Sequence, residues 1–273
     1  MKKHKYKILV LSDLKKSTSK TLKSTVSLAK MIDADINFFY VKKPNEILEK
    51  ENQLSANRLI NQEYNLTEKK IQDLINPISK DYGVTINYAY AFGNIKNEIE
   101  KFINDCKPDI IVLGKRKSKT LSLIGDNITD FVLKTHSGAI LIANKEIALA
   151  SNQDLSLGML NSIATTFNID LIEDLIANTK EPVKSFKIIK NPNVSKKTDV
   201  TKGKKMVEYV FEHNDNTIKN LSRYLLKNDI SLLCIDRVQD DNKTNLMKSD
   251  IKEVIKNLNV SLLFTGKQEY PLQ

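Results

Sequence analysis

Cysteine is scarce in this chain. Two residues in 273, Cys106 and Cys234, cannot make a disulfide framework, and both sit in apolar stretches where a thiol packs as a small hydrophobe. Only three histidines occur, His4, His136 and His213, too far apart for metal-ligand spacing. His136 falls at a helix end, where an imidazole suits the helix dipole, so it is expected to be structural. The Gly-x-Ser-x-Gly, His-Glu-x-x-His and Cys-x-x-Cys patterns are absent. The nucleophile elbow, the zinc-protease helix and dithiol redox chemistry therefore find no support. No apolar run approaches the roughly 18–20 residues of a membrane helix. The basic N-terminus leads only into Ile8–Leu11, too short for the core of a signal peptide, so a cytoplasmic protein with no membrane contact is expected.

Arginine is also rare. Arg58, Arg116, Arg223 and Arg237 are the only four among 43 basic residues. The net charge of +10 is carried by lysines spread along the chain and interleaved with acids. Nucleic-acid readers use arginine forks and clustered charge, so nucleic acid is not the expected partner. The densest basic cluster is Lys115-Arg116-Lys117-Ser118-Lys119. With 41% hydrophobic and 28% charged residues the composition is globular, and the length suits two domains better than one.

Strand and helix patterns alternate. Ile8–Leu11, Ile36–Val41, Val84–Phe92, Asp109–Leu113 and Ala139–Ala143 read as strands. Helical spacings lie between them: Leu22 to Ile32, a long polar stretch from about 46 to 80 in one or two pieces, Ile95 to Ile103, and Ile128 to Leu133. This order implies right-handed βαβ crossovers and a mostly parallel sheet with helices on both faces. The second half repeats the first. At an offset of 122, Asp109–Gly114 falls on Ser231–Asp236 and Ala139–Ala143 on Ser261–Thr265, with no gap expected from about 86 to 144. Ile8–Asp13 is matched to Ile147–Asn152 at an offset of 139, which implies a second half shorter by 17 residues, in the long helix. The expected fold is α/β: two tandem doubly wound domains, 1–145 and 146–273, each a five-stranded mostly parallel sheet, packed together with almost no linker.

Ligands of such sheets bind beyond the carboxyl ends of the strands, at a topological switch point. Those ends carry Asp13, Val41, Gly93 and Gly114. From Gly114 a basic loop runs to Gly125-Asp126-Asn127 and a helix, a plausible phosphate cradle. On Val10-Leu-Ser-Asp13, on the stretch Asp109–Ala143 and on the strand order, the chain resembles the universal stress protein family. In ATP-binding members the last loop looks like Gly-x2-Gly-x9-Gly-(Ser/Thr), an Asp after the first strand contacts the nucleotide, and a Val after the second packs near adenine. Asp13, Val41, Gly114 and Gly125 stand at the matching places. Lys117 stands at the second glycine, seven residues rather than nine separate it from Gly125, and Asp126 replaces the Ser/Thr.

The resemblance thus implies a stress-response or signalling protein acting by binding. Its weakened nucleotide or phosphate pocket, for ATP or another adenine nucleotide, is lined by Asp13, Val41, Gly114, Lys115, Arg116, Lys117, Gly125 and Asp126. A carboxylate at Asp126 about 4 Å from a phosphate charge would cost roughly 4 kcal/mol at an effective dielectric of ~20. Lys115, Arg116, Lys117 and Lys119 oppose that cost. The residues leave other roles open: a helix N-cap for Asp126, turn geometry for Asp13 and the glycines. A slow ATP hydrolase and a pure interaction module also stay open. In the second half Asn152, Asp236 and Met247-Lys248 take the places of Asp13, Gly114 and Gly125-Asp126, so no anion site is expected there. Family members often pair through their fifth strands. Ala139–Ala143 and Ser261–Thr265 are therefore expected to meet in an intramolecular pseudo-dimer, with a further homodimer open and the protein partner unnamed.

Overall fold

Apolar runs bounded by polar turns give ten strands, and helical spacings give seven helices, among the described residues. The computed structural model describes residues 5–43, 53–116, 128–149, 155–160, 169–179, 182–189, 206–214, 216–237 and 248–265. The first half runs β1 (Tyr6–Ser12), α1 (Thr18–Ile32), β2 (Ala34–Lys42), α2 (Gln53–Tyr82), β3 (Ile86–Phe92), α3 (Ile95–Cys106), β4 (Ile110–Gly114), α4 (Ile128–Thr135) and β5 (Ala139–Ala143). The second runs β6 (Leu157–Leu160), α5 (Ile169–Ala177), β7 (Val183–Ile189), β8 (Met206–Glu212), α6 (Thr217–Lys227), β9 (Leu232–Asp236), α7 (Lys248–Asn257) and β10 (Ser261–Thr265). The long polar stretch forms one helix, α2, with Pro77 inside it.

All ten strands join in one sheet of order β3-β2-β1-β4-β5-β10-β9-β6-β7-β8. Every pairing is parallel except the antiparallel junction of β5 with β10. The fifth strands of the two halves therefore meet, as expected. Leu141 pairs with Leu263, its own counterpart at the 122-residue offset, so a pseudo-twofold axis passes between them. One core lies on each face of the sheet, and each runs through both halves. Ile8, Val10, Leu22 and Ile71 share the first with Leu232 and Leu263. Leu9, Ile99 and Val132 share the second with Leu233, Val254 and Phe264. Cys234 is fully buried, and burial pushes its thiol up to about 12, so it stays a protonated core residue.

The repeat departs from the expected register in three ways. The counterpart of Ile8–Leu11 is Leu157–Leu160: Ile8 pairs with Ile110 as Leu157 pairs with Leu232, an offset of 149 rather than 139. Residues 144–149 are not a strand; they lie over α1, where the Leu149 amide donates to Ser24 Oγ at 3.1 Å and Ser27 Oγ donates to the Leu149 carbonyl at 2.7 Å. Asn152 is thus no counterpart of Asp13. Second, Ile86 matches Met206 at an offset of 120, while Ile95 matches Thr217 at 122, so two residues are inserted between β8 and α6. Third, the deletion is 27 residues rather than 17, and it falls between β7 and β8, where the first half has α2. Only 16 residues separate β7 from β8, too few for a 30-residue helix. The sheet face reflects this. Tyr88 and Tyr90, beneath α2, correspond to Glu208 and Val210, with Glu208 paired to Lys187 at 2.7 Å and Val210 53% exposed.

Candidate functional site

The strand order reverses direction between β1 and β4, and an open cleft lies beyond the carboxyl ends of β1, β2 and β4. This is where a doubly wound sheet splays its connections apart. The turn after β1 is built from its own side chains. Ser12 Oγ accepts from the Leu14 amide at 3.0 Å and lies 3.2 Å from Thr18 Oγ1. Asp13 Oδ1 accepts from the Lys15 amide at 3.2 Å. These two acceptors hold Leu14 at φ 52, a left-handed conformation that a non-glycine residue adopts at a cost. Asp13 Oδ2 then faces Arg116 Nη2 at 3.3 Å and Lys15 Nζ at 3.5 Å, so an acidic acceptor is fixed at the mouth between two cations.

Beneath it the floor is apolar, formed by Leu11, Phe39, Val41, Ile95, Ile99 and Leu113. Around it the wall is basic: nine lysines and Arg116 line the cleft against Asp13, Asp130 and Glu146. Several of these cations are engaged already. Lys42 pairs with Glu63 of α2, and Lys252 lies 2.9 Å from Asp130. A large excess of positive charge remains, focused by low-dielectric walls.

Gly114 serves packing. Its φ is not positive, so its backbone needs no glycine, but a Cβ there would lie 2.7 Å from Thr21 Oγ1 on α1. Gly114→Ala should cost about 1–2 kcal/mol in urea unfolding through this overlap. Adding Thr21→Ala should recover most of that loss, because the two changes share one contact. A loss unaffected by Thr21→Ala would place the strain elsewhere.

The expected site residues separate into three groups. Asp13, Val41, Gly114 and Arg116 come together at the cleft. Lys115 touches its wall, but the ammonium turns into the seam between the halves and donates to the Leu258 carbonyl at 2.5 Å, at the end of α7. Burial, and after it the Lys145 ammonium, hold the Lys115 pKa below the usual lysine value. Lys117, Gly125 and Asp126 lie outside the described residues.

The counterpart of Lys115 is Arg237, and it makes the reciprocal contact. Its guanidinium donates to the carbonyls of His136, at 3.0 Å, and Gly138, at the end of α4. His136 itself is buried, and burial followed by the Arg237 charge pushes its pKa down to about 4. The imidazole at this helix end is therefore neutral, and the cation that meets the α4 C-terminus comes from the other half. Ser12, Thr18 and the α7 lysines of the cleft were not among the residues expected from sequence. The Ser-Asp pair after a strand was a readable turn signal; the α7 contribution depends on how the halves meet. Among the described residues no three His, Cys, Asp or Glu side chains converge as metal ligands, and no helix is long and apolar enough to cross a membrane.

The universal stress protein family model matches residues 6–142. A universal stress protein structure from Archaeoglobus fulgidus DSM 4304 matches at 12% identity and TM-score 0.68, covering 96% of this chain and 98% of its own. A functionally unknown protein from Pseudomonas aeruginosa PAO1 matches at 10% identity and TM-score 0.58, over 96% and 92%. A universal stress protein solved in complex with cAMP matches 52% of this chain and 98% of its own at 15% identity, with a TM-score of 0.38. No curated protein matches in sequence. With half of its length matched by the family model, and the tandem fold shared over 96% of it, this chain belongs to the universal stress protein family.

Proposed function

We propose that the chain is a stress-response or signalling protein that acts by binding, with a nucleotide or phosphate ligand held in the first-half cleft. One observation carries this reading. At the switch point an apolar floor, the Asp13 carboxylate held in its turn and a wall of cations lie side by side. A nucleotide has the matching parts: a flat apolar base, ribose and amino donors, and a phosphate chain. Val41 and Phe39 underlie the base, Asp13 accepts from a donor of the sugar or base, and Arg116 meets phosphate. Lys117, Gly125 and Asp126 stand in the reading by their place in the sequence. The setting is the cytoplasm, where nucleotides are plentiful.

Asp13→Asn tests it by calorimetry. Asparagine keeps the acceptor for the Lys15 amide but removes the charge that holds Arg116. ATP should bind about tenfold more weakly, because a donor loses its charged acceptor. Inorganic phosphate should bind about threefold more tightly, because Arg116 is released. No heat from ATP, AMP or phosphate with the native chain would overturn the reading. Equal weakening of ATP and phosphate would reduce Asp13 to a turn former.

A further inference from the structure

We propose that the second half completes the first-half cleft, and that Lys252 and Lys256 of α7 select ligands by the length of their phosphate chain, favouring three or more phosphates. The inference rests on the nucleotide reading above. The second half offers no glycine in the loop after β9, yet its α7 stands in the wall of the other half's site, through Lys252, Ile255 and Lys256. Lys252 Nζ sits 2.9 Å from Asp130 Oδ2 in the first turn of α4, so α7 stands beside the mouth beyond β4. Lys256 follows at i+4, on the same side of the helix, and makes no ion pair among the described residues.

The pseudo-twofold axis makes the asymmetry plain. The offset of 122 maps Asp130 onto Lys252, so α4 brings an acid to the seam where α7 brings a cation; Lys134 and Lys256 are both lysines, but only Lys256 lines the first-half cleft. Two acids or two lysines at that position would repel across the seam; Asp130 and Lys252 attract, which seats α7 and leaves Lys256 as a cation of α7 with no ion pair among the described residues, at the cleft that already holds Arg116. In this reading Arg116 meets the first phosphate, and each added phosphate brings further negative charge to the cationic wall that Lys252 and Lys256 share with it. The second half thus acts as the distal wall of a site in the first.

Calorimetry on the full chain with AMP, ATP and inorganic tripolyphosphate tests this, comparing the native protein with Lys252→Glu/Lys256→Glu. Both lysines are exposed, Lys252 by 67%, so the fold should tolerate the change. A control, Lys101→Glu/Lys134→Glu, alters net charge equally at exposed positions outside the cleft. The native chain should prefer ATP over AMP by about tenfold or more, and the α7 variant should cut that preference to about twofold while leaving AMP binding within about twofold. The control should leave the preference standing. Tripolyphosphate that binds as tightly as ATP would identify free polyphosphate as the ligand class; weaker binding shows that the base is read too. If AMP and ATP weaken together in the α7 variant, or neither changes, the selection by α7 is overturned while the nucleotide reading stands. If the native chain binds no nucleotide, both fall.

Discussion

Arg237→Met should destabilise the protein by about 3 kcal/mol at neutral pH, measured by urea unfolding, although Arg237 contacts no ligand cleft. Arg237 is 5% exposed and its fork reaches carbonyls on the far side of the seam, those of His136 and Gly138, with that of Leu133 at the 3.5 Å limit. Those carbonyls end α4 and lead into β5, and have lost their helical partners. Methionine replaces the volume but donates nothing, so buried acceptors are left dry. Removing a buried charge returns part of the loss, which keeps the figure near 3 rather than 5 kcal/mol. Lys115→Met is the internal comparison. Lys115 makes one bond, to Leu258, where Arg237 spans two or three, so its loss should be about 1 kcal/mol. Arg237→Lys should fall between, since an ammonium cannot bridge the fork. A loss below about 1 kcal/mol for Arg237→Met would show that water takes over the carbonyls and that the clamp adds little. Because each core runs through both halves, the destabilised variant should still unfold in one transition.

The parts of this fold that were legible in sequence are those carried by runs of apolar residues. Ile110–Gly114 and Ala139–Ala143 are buried along nearly their whole length, so they read as central strands, and the same runs 122 residues later gave the second half and the β5–β10 junction. The misplaced element is β6. Gly158 interrupts its apolar run and weakens the strand signal. There it has a packing role: a Cβ would lie 2.8 Å from the Phe186 ring. Ile147-Ala-Leu149, which was matched to β1 instead, is apolar because Leu149 anchors the connection onto α1, while Ile147 is 68% exposed. Within the site, Asp13 and Gly114 were visible because strand ends are visible. The true bonding of Lys115 was not, since it depends on a helix end 143 residues away. A signal did exist: the offset puts Arg237 opposite Lys115, and two cations at one position of a repeat, each directly after a buried strand, point to a shared contact rather than to a loop reaching for an anion.

The buried histidine at the same seam turns that contact into a pH dependence. His136 lies against the Gly138 backbone, with the Arg237 guanidinium and the Asp109 carboxylate as its charged neighbours. Burial dominates and the guanidinium adds to it, which brings the folded-state pKa to about 4 from an ordinary 6.5. Protonation therefore favours the unfolded chain. The stability that depends on the neutral ring is fully present above pH 6.5 and is lost as pH falls toward 4, about 3 kcal/mol in all. About 2 kcal/mol of it should disappear between pH 7 and pH 5, before most carboxylates titrate. His136→Gln cannot take up the proton, so its stability should change less across that window, and the difference between the two proteins isolates the ring from His4 and His213, which both retain. The seam couples the two predictions. In Arg237→Met the nearest cation is gone, so the ring protonates at a higher pH and the acid loss shrinks. The penalty of Arg237→Met should therefore be smaller at pH 5 than at pH 7.5. Equal penalties at both pH values would separate the ring from the clamp and leave burial alone as the cause of its low pKa.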